Sequence, residues 1–388
     1  MSRRARSCGL TLEVRSSSSA MRGVTDRAFG DRSGAAPPSL ETGVSPGTAA
    51  LLAADVVVSV ESTHAPFVLP DLTPVTRGAT GDGRQVVLAD ACGSGLDLLV
   101  APSSGTLAVT ARSRPLARHR ALRLATPGRT ELLRRAALLQ YPMLWWGGVR
   151  GDVPLHVSAA QVRGQGVVLA GPGGVGKSTL LAGLSGEDGT PVSDNLCTYD
   201  GERIHALPEP RRVEGGTVGY GHRRMPHGRV EQPWDSRQDS IVPTLVLVLR
   251  RGTGDKAALR PIPPAVAVRA LVTGTYAAGE LRRYWAFAAT LALGTGLGPA
   301  HPEIVSGAER LARSVPCVEV VLPGRPVVSL AELVDLAGGV GRLPAAAEPT
   351  EPLEPLEPLE PLEPTEPLEP QILSPLTAPS LPLTRALP

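Results

Sequence analysis

A chain of 388 residues is longer than one ordinary core requires, and 42% hydrophobic against 20% charged residues fits a folded globular protein rather than a wholly disordered one. Lysine and arginine number 39 against 37 aspartates and glutamates, a formal charge of +2 that supplies no bulk field to hold nucleic acid or an anionic membrane. No apolar run is long enough to cross a bilayer, because Trp285 to Leu293 is interrupted by Thr290 and ended by Gly294.

The first 48 residues are rich in Ser, Arg, Gly and Pro and lack either periodicity, which predicts a disordered leader. The opening MSRRARSCGL is basic without the apolar stretch of a secretory signal, so the protein is expected in the cytoplasm. From 49 to 127 the runs AADVVVSVES, QVVLAD, LDLLVA and TLAVTAR alternate with the turn clusters TGDG and PSSG, predicting a small antiparallel β-rich domain. From 128 to 340 the pattern changes. Thr130 to Trp146 reads as a helix capped by Thr130. PLHVSAAQV, GQGVVLAG, TLVLVLR at Thr244 to Arg250 and CVEVVLP at Cys317 to Pro323 read as buried strands, with STLLAGLSG, AVAVRALVTGTY and ELRRYWAFAATLAL as helices between them. That order predicts an α/β fold, a mostly parallel sheet covered by helices. From 341 to 388 the chain is rich in Pro, Glu and Leu, with a near three-residue repeat from Glu348 to Pro370. Proline at every third position forbids α-helix and predicts a disordered, polyproline-like tail. Cys8, Cys92, Cys197 and Cys317 lie far apart with no C-x-x-C pair, which reads as free buried thiols.

One segment carries chemistry. Gly171, Pro172, Gly173, Gly174, Val175, Gly176, Lys177 and Ser178 fit G-x-x-x-x-G-K-[ST] between a strand, Val167 to Ala170, and a helix that starts with Thr179. Glycines allow inward-pointing backbone N–H groups, and Lys177 adds a compact positive charge, so residues 171–179 are expected to hold the polyphosphate of ATP. The Ser178 hydroxyl would ligate Mg²⁺. Lys177 and Lys256 are the only lysines in an arginine-rich chain, and an ammonium suits a phosphate nest where a planar guanidinium does not. With no lysine left for an Asn-Lys-x-Asp motif, a regulatory GTPase is excluded. An ABC-type ATPase is weakened, since no LSGGQ-like segment follows and TLVLVL ends in Arg250 and Arg251 rather than Asp-Glu.

Asp194, sixteen residues after Ser178, ends a short strand-like segment, where a carboxylate would hold Mg²⁺ or take the proton of an attacking hydroxyl. His156 lies on the preceding strand-like segment, where it either faces the same cleft or sits as a satisfied core histidine, and the residue type alone does not separate the two. Arg211, Arg212, Arg223, Arg224 and Arg229, with His222 and His227, form a basic, glycine-broken stretch suited to closing over phosphates. Tyr284, Trp285 and Phe287 at helical spacing read as core rather than as a base-stacking platform, and no pattern supports nucleic-acid binding.

The run LHVSAAQVRGQGVVLAGPGGVGKSTLLAGL, followed by VSDN and YDGERIHALPEP, resembles the catalytic domain of the HPr kinase/phosphorylase family and its relatives, some of them encoded beside ribosomally made peptides such as lasso peptides. The resemblance spans about Tyr141 to Leu207 and loosens toward Ala337. It implies a P-loop kinase fold, ATP and Mg²⁺, His156 as the upstream histidine and Asp194 as the proton acceptor. It also implies a serine-type hydroxyl on a protein or peptide as the phosphate acceptor, with homo-oligomerisation left open. The chain departs from the family at the second acid, which is Asn195, and at the Glu-x-Arg-Gly signature, hinted at only near Glu214. An acceptor other than HPr is therefore expected. The alternative is an accessory protein that uses ATP occupancy as a switch.

Overall fold

The chain begins with a hairpin that its composition hides. β1 (Ser2–Ser7) and β2 (Leu10–Ser16) pair antiparallel around a turn in which Cys8 and Gly9 take φ values of 53° and 66°. The disordered leader expected over 1–48 is thereby corrected for Ser2–Ser16. Strand alternation accounts for it: Leu10, Leu12 and Val14 are buried on one face, while Glu13 gathers Ser2, Arg4 and Arg15 on the other. The computed structural model describes residues 2–16, 24–26, 28, 54–114, 117, 121, 124–184, 186–213, 225, 228–324 and 328–340. Met1–Ala346 forms one compact unit. The tail expected from 341, and most of the remaining leader, lie outside the described residues.

β3 (Val56–Glu61), β4 (Thr73–Thr76), β5 (Ala79–Gly81), β6 (Val86–Leu88), β7 (Leu96–Ser103) and β8 (Thr106–Ser113) join the hairpin in one eight-stranded sheet of order β1-β2-β3-β8-β7-β6-β5-β4. The β2–β3 and β3–β8 pairs are parallel, so the region is mixed rather than purely antiparallel. One continuous helical run covers it: α1 (Pro127–Arg135), a π-helical segment Ala136–Gln140 and α2 (Tyr141–Val149). Its first turn opens at Pro127 behind Thr126, and Thr130, the expected cap, instead donates its hydroxyl to the Thr126 carbonyl at 3.3 Å. Leu98, Val100 and Val109 of the sheet share a core with Leu138, Met143 and Trp145, and with Tyr284, Phe287 and Leu291 from a much later helix. The expected boundary at 127/128 therefore cuts through one continuous core.

The second half is built on a six-stranded sheet. β10 (Ser158–Val162), β11 (Gln165–Ala170), β12 (Gly189–Ser193), β18 (Leu245–Arg251), β19 (Ala258–Pro261) and β20 (Cys317–Leu322) take the order β12-β10-β11-β18-β20-β19. Only β11–β18 and β18–β20 run parallel; the other three pairs are antiparallel. The expectation of a mostly parallel sheet is corrected to a mixed one. The reason is local: Arg163 and Gly164, at φ 46° and 80°, make a tight two-residue turn that obliges β10 and β11 to run antiparallel.

β11 shows why this sheet is sandwiched. Val168 and Ala170 enter one core with Val246 and Val248, against α4 (Pro264–Ala277) and α6 (Ile304–Ser314). Val167 and Leu169 enter another with Leu247, Val320, Leu180 of α3 (Lys177–Ala182), and Leu333 and Val334 of α7 (Leu330–Val340). Apolar residues on both faces explain the unbroken run GVVLA. The later helix that reaches the core of the eight-stranded sheet is α5 (Arg282–Thr295). β9 (Val153–Leu155), β13 (Cys197–Tyr199), β14 (Ile204–Ala206) and β17 (Ser240–Ile241) form a four-stranded antiparallel sheet, and β15 (Arg211–Val213) pairs with β16 (Val230–Gln232). The fold is thus a mixed α/β structure with several sheets. Among the described residues no helix is long and apolar enough to cross a membrane.

Candidate functional site

The loop between β11 and α3 leaves the sheet at its buried centre. Gly171 takes φ 142°, and a Cβ there would meet the Leu249 carbonyl at 2.7 Å, so only glycine fits. Gly174 and Gly176 also sit at positive φ, 78° and 116°. Val175 is buried and anchors the loop to the core of α3, whereas Pro172, Gly173 and Gly174 are exposed and a Cβ on Gly173 or Gly174 would meet nothing within 4 Å. The loop therefore arches over open space on a fixed base.

Lys177 is 6% exposed and folds back on the loop, its Nζ donating to the Gly171 carbonyl at 2.8 Å and the Pro172 carbonyl at 3.2 Å. Burial pushes its ammonium down to about 8, and Arg229 adds to the fall, while Asp194 and Glu280 oppose it. Ser178 accepts a hydrogen bond on its Oγ from Arg229 at 3.1 Å. Thr179 is exposed on α3.

The second element is the turn after β12. Glu209 is 2% exposed, and its Oε1 accepts the backbone N–H groups of Asn195 and Leu196, each at 3.1 Å. Ser193 donates its hydroxyl to the Leu196 carbonyl at 2.6 Å, and the Asp194 carbonyl accepts the Ser158 hydroxyl at 2.6 Å. These bonds fix the backbone that presents Asp194 and Asn195. Burial pushes the Glu209 carboxyl up despite the Arg212 guanidinium. Asp194 is 3% exposed: its Oδ2 accepts the Arg212 backbone N–H at 3.1 Å, and its Oδ1 is buried with no hydrogen-bond partner. Asn195 accepts on Oδ1 from Arg212 Nη1 at 3.0 Å, and its Nδ2 is likewise buried and unpaired. Among the described residues Arg135 Nε, Trp145 Nε1, Trp146 Nε1, Thr198 Oγ1 and Arg211 Nε share this condition, but of the seven atoms only Asp194 Oδ1 is an open carboxylate oxygen.

His156 does not line the cleft. Its Nδ1 lies 3.1 Å from the Gly274 carbonyl and its Nε2 3.1 Å from Asn195 Oδ1, so it braces Asn195 from behind. Burial lowers its pKa, reinforced by the Lys177 charge. The strand-like segment expected around His156 is broken there: the residue lies between β9 and β10, and its ring is held between Gly274 of α4 and the Asn195 turn, outside the residues that line the cleft. Ser178 and Asp194 do come together, lining a cleft of about 270 Å³ with Leu181, Pro191, Arg212 and Trp234. The indole of Trp234 is held in place by its Nε1–H on the Glu209 carbonyl at 2.8 Å.

Of the basic stretch, Arg211, Arg212 and Arg229 fall at or beside the cleft. Arg223, Arg224, His222, His227 and the Glu214 hint lie outside the described residues. Two neighbours of the turn, and one contact of a residue already named, escaped the sequence reading. Glu209 carried a faint signal, a carboxylate set between prolines in an apolar run. Glu280 carried none, because its partner Arg212 is 68 residues away. The Arg229–Ser178 contact was equally invisible.

The donor set fits the groups expected at such a site. Ser178 Oγ and a carboxylate with a free buried oxygen are hard ligands suited to Mg²⁺, and the loop has room above Gly173 and Gly174. No family model matches the chain, and no curated protein matches it. Among solved structures it is similar to the Hpr(Ser) kinase/phosphatase from Coxiella burnetii, over 49% of this chain and 97% of that one, with 11% sequence identity and a TM-score of 0.23. A likeness that slight decides neither family nor activity, and what the site can do rests on its own side chains.

Proposed function

We propose that the chain is an ATP- and Mg²⁺-dependent phosphotransferase of the P-loop kind, resembling the HPr kinases, that phosphorylates a serine-type hydroxyl of a protein or peptide. The observation that carries this reading is the unpartnered Asp194 Oδ1, buried beside Ser178 in a cleft large enough for an acceptor side chain. The loop Gly171–Ser178 would hold the polyphosphate, with Lys177 exchanging its two loop carbonyls for phosphate oxygens. Ser178, with Asp194 through water, would hold Mg²⁺, which when bound neutralises charge on the phosphates. Asp194 would accept the hydroxyl proton as the acceptor oxygen bonds to the γ-phosphorus and the bond to the ADP oxygen breaks. Arg229, at hydrogen-bond distance from Ser178, is suited to the charge on the transferring group.

A second reading, an ATP-operated switch without turnover, is favoured by one feature: Asn195 occupies the place of the second acid. Mixing the protein with γ-labelled Mg·ATP and a degenerate serine-peptide pool separates the two. Label on peptide supports the kinase, whereas phosphate released to water without labelled peptide marks a hydrolase and overturns it. Saturable binding with neither supports the switch, and absence of any binding removes both.

A further inference from the structure

Two side chains that contribute no atom to the proposed chemistry hold the turn that does. Arg212, on β15, makes three bonds at once: its backbone N–H to Asp194 Oδ2 at 3.1 Å, Nη1 to Asn195 Oδ1 at 3.0 Å and Nη2 to Glu280 Oε1 at 2.9 Å. A planar guanidinium that spans two fixed acceptors has one orientation, a geometry that a lysine does not reproduce. Glu280 is itself anchored, since its backbone carbonyl accepts the Tyr141 hydroxyl of α2 at 2.7 Å. The brace therefore runs from the helices that cover the eight-stranded sheet, through Glu280 and Arg212, to the Asp194 turn.

We infer that Arg212 and Glu280 are positioning residues for Asp194, an assignment that rests on the phosphotransferase reading. With Oδ2 pinned to the Arg212 backbone, Oδ1 is the oxygen left to take the acceptor proton. Glu280 has a second effect. The carboxylates whose charges act on the Arg212 guanidinium are Glu280, Glu209 and Asp194. Glu280 holds the guanidinium in a direct ion pair. Remove it, and the strongest remaining attraction draws the guanidinium toward Glu209 and Asp194, where it would occupy the oxygen that must stay open. Burial alone would push the Glu280 carboxyl up, but the Arg212 charge holds it below the usual range, so the pair stays ionised.

The test uses the full chain and two measurements, Mg·ATP affinity and the rate of γ-phosphate loss from labelled Mg·ATP with and without the serine-peptide pool. Glu280→Ala is expected to leave the affinity within about twofold and to lower kcat by ~10- to 100-fold, the cost of a slightly misplaced reacting group. Glu280→Gln keeps the acceptor oxygen and is expected to recover most of that loss. Arg212→Lys keeps the backbone N–H and the charge but not the fork, and should resemble the alanine variant. It also serves if Glu280→Ala melts too early to assay. A purely structural role would lower affinity and rate together and would show no recovery with glutamine; that result overturns the assignment. Unchanged kcat in both Glu280→Ala and Arg212→Lys also overturns it, while leaving the kinase reading intact. A wild-type chain that binds Mg·ATP without turnover overturns the kinase reading and this assignment with it.

Discussion

The eight-stranded sheet buries Ser7 and Glu13 on its first two strands and, from Val56 to Ser113, only Ser94 in a turn, whereas the stretch from Ser158 to Arg237 buries Lys177, Asp194, Asn195, His205, Glu209, Glu231 and Arg237 among others. Sheet and loop region share one compact unit. Burying a charge costs several kcal/mol unless partners replace water, so the contrast separates a region selected for packing from one that tolerates expensive groups. A related contrast separates two buried pairs that draw on the second region. The pair between Arg135 of α1 and Glu231 of β16 is bidentate, at 2.7 Å for both bonds, so both carboxylate oxygens are taken although Arg135 Nε is not; in Asp194 and Asn195 it is the carboxylate Oδ1 and the amide Nδ2 that are left open. In the closed pair both carboxylate oxygens are bonded; in the open one a carboxylate oxygen at the cleft is not.

Asp194→Asn breaks the comparison hardest. If the open carboxylate is the proton acceptor, the rate of phosphoryl transfer falls by about 10²- to 10⁴-fold while Mg·ATP affinity is largely kept, as read by single-turnover labelling and by titration calorimetry. The closed pair should respond in the opposite sense. Glu231→Ala leaves the Arg135 guanidinium buried and alone, and is expected to destabilise the chain by about 3–5 kcal/mol in urea melts, with nucleotide affinity in the surviving folded fraction near wild type. Leu98→Ala, in the middle of the sheet, removes fully buried methyl groups and should cost about 2–5 kcal/mol by the same melts, again without touching the site. A sheet variant that altered nucleotide affinity, or an Asp194 variant that altered only stability, would erase the distinction between the regions.

How much of this is written in the sequence follows from range. The loop Gly171–Ser178 is legible because its chemistry is local: positive-φ glycines and one ammonium, all within eight consecutive residues. The buried strands β11 and β18 are legible as unbroken apolar runs. β1 and β2 are not, because their charged outward residues mask the alternation of Leu10, Leu12 and Val14, and their partner β3 lies some forty residues on. The parallel pairing expected of the six-stranded sheet fails at Arg163 and Gly164, whose turn character was not read as a hairpin. His156 was found as a residue with its direction left open, since the ring's neighbours Gly274 and Asn195 come from two distant segments. Glu280 and Arg229 act only through tertiary contact, which no spacing rule carries.

The mildest test sharpens the contrast on a single group, Lys177. Its folded pKa of about 8 lies below the model-peptide value of 10.5, so the folded empty chain loses this proton at a lower pH than the unfolded chain does. The sign follows from linkage: below pH 8 both states carry the charge, and the folded state bears the full burial penalty, on the order of 3 kcal/mol. Between about 8 and 10.5 the unfolded state binds more protons, and the penalty is progressively relieved. Raising the pH from 7 to 9 should therefore raise the melting temperature of the empty wild-type chain relative to Lys177→Met, which has no such proton to lose. Nucleotide affinity should move the other way over the same interval, because phosphates need the ammonium and binding must then take up a proton. Calorimetry in two buffers of different ionisation enthalpy reads that uptake directly, approaching one proton per nucleotide near pH 9 and vanishing in Lys177→Met. If affinity and stability instead rise together with pH, Lys177 is an element of the packing like Leu98, and the loop is not where phosphate binds.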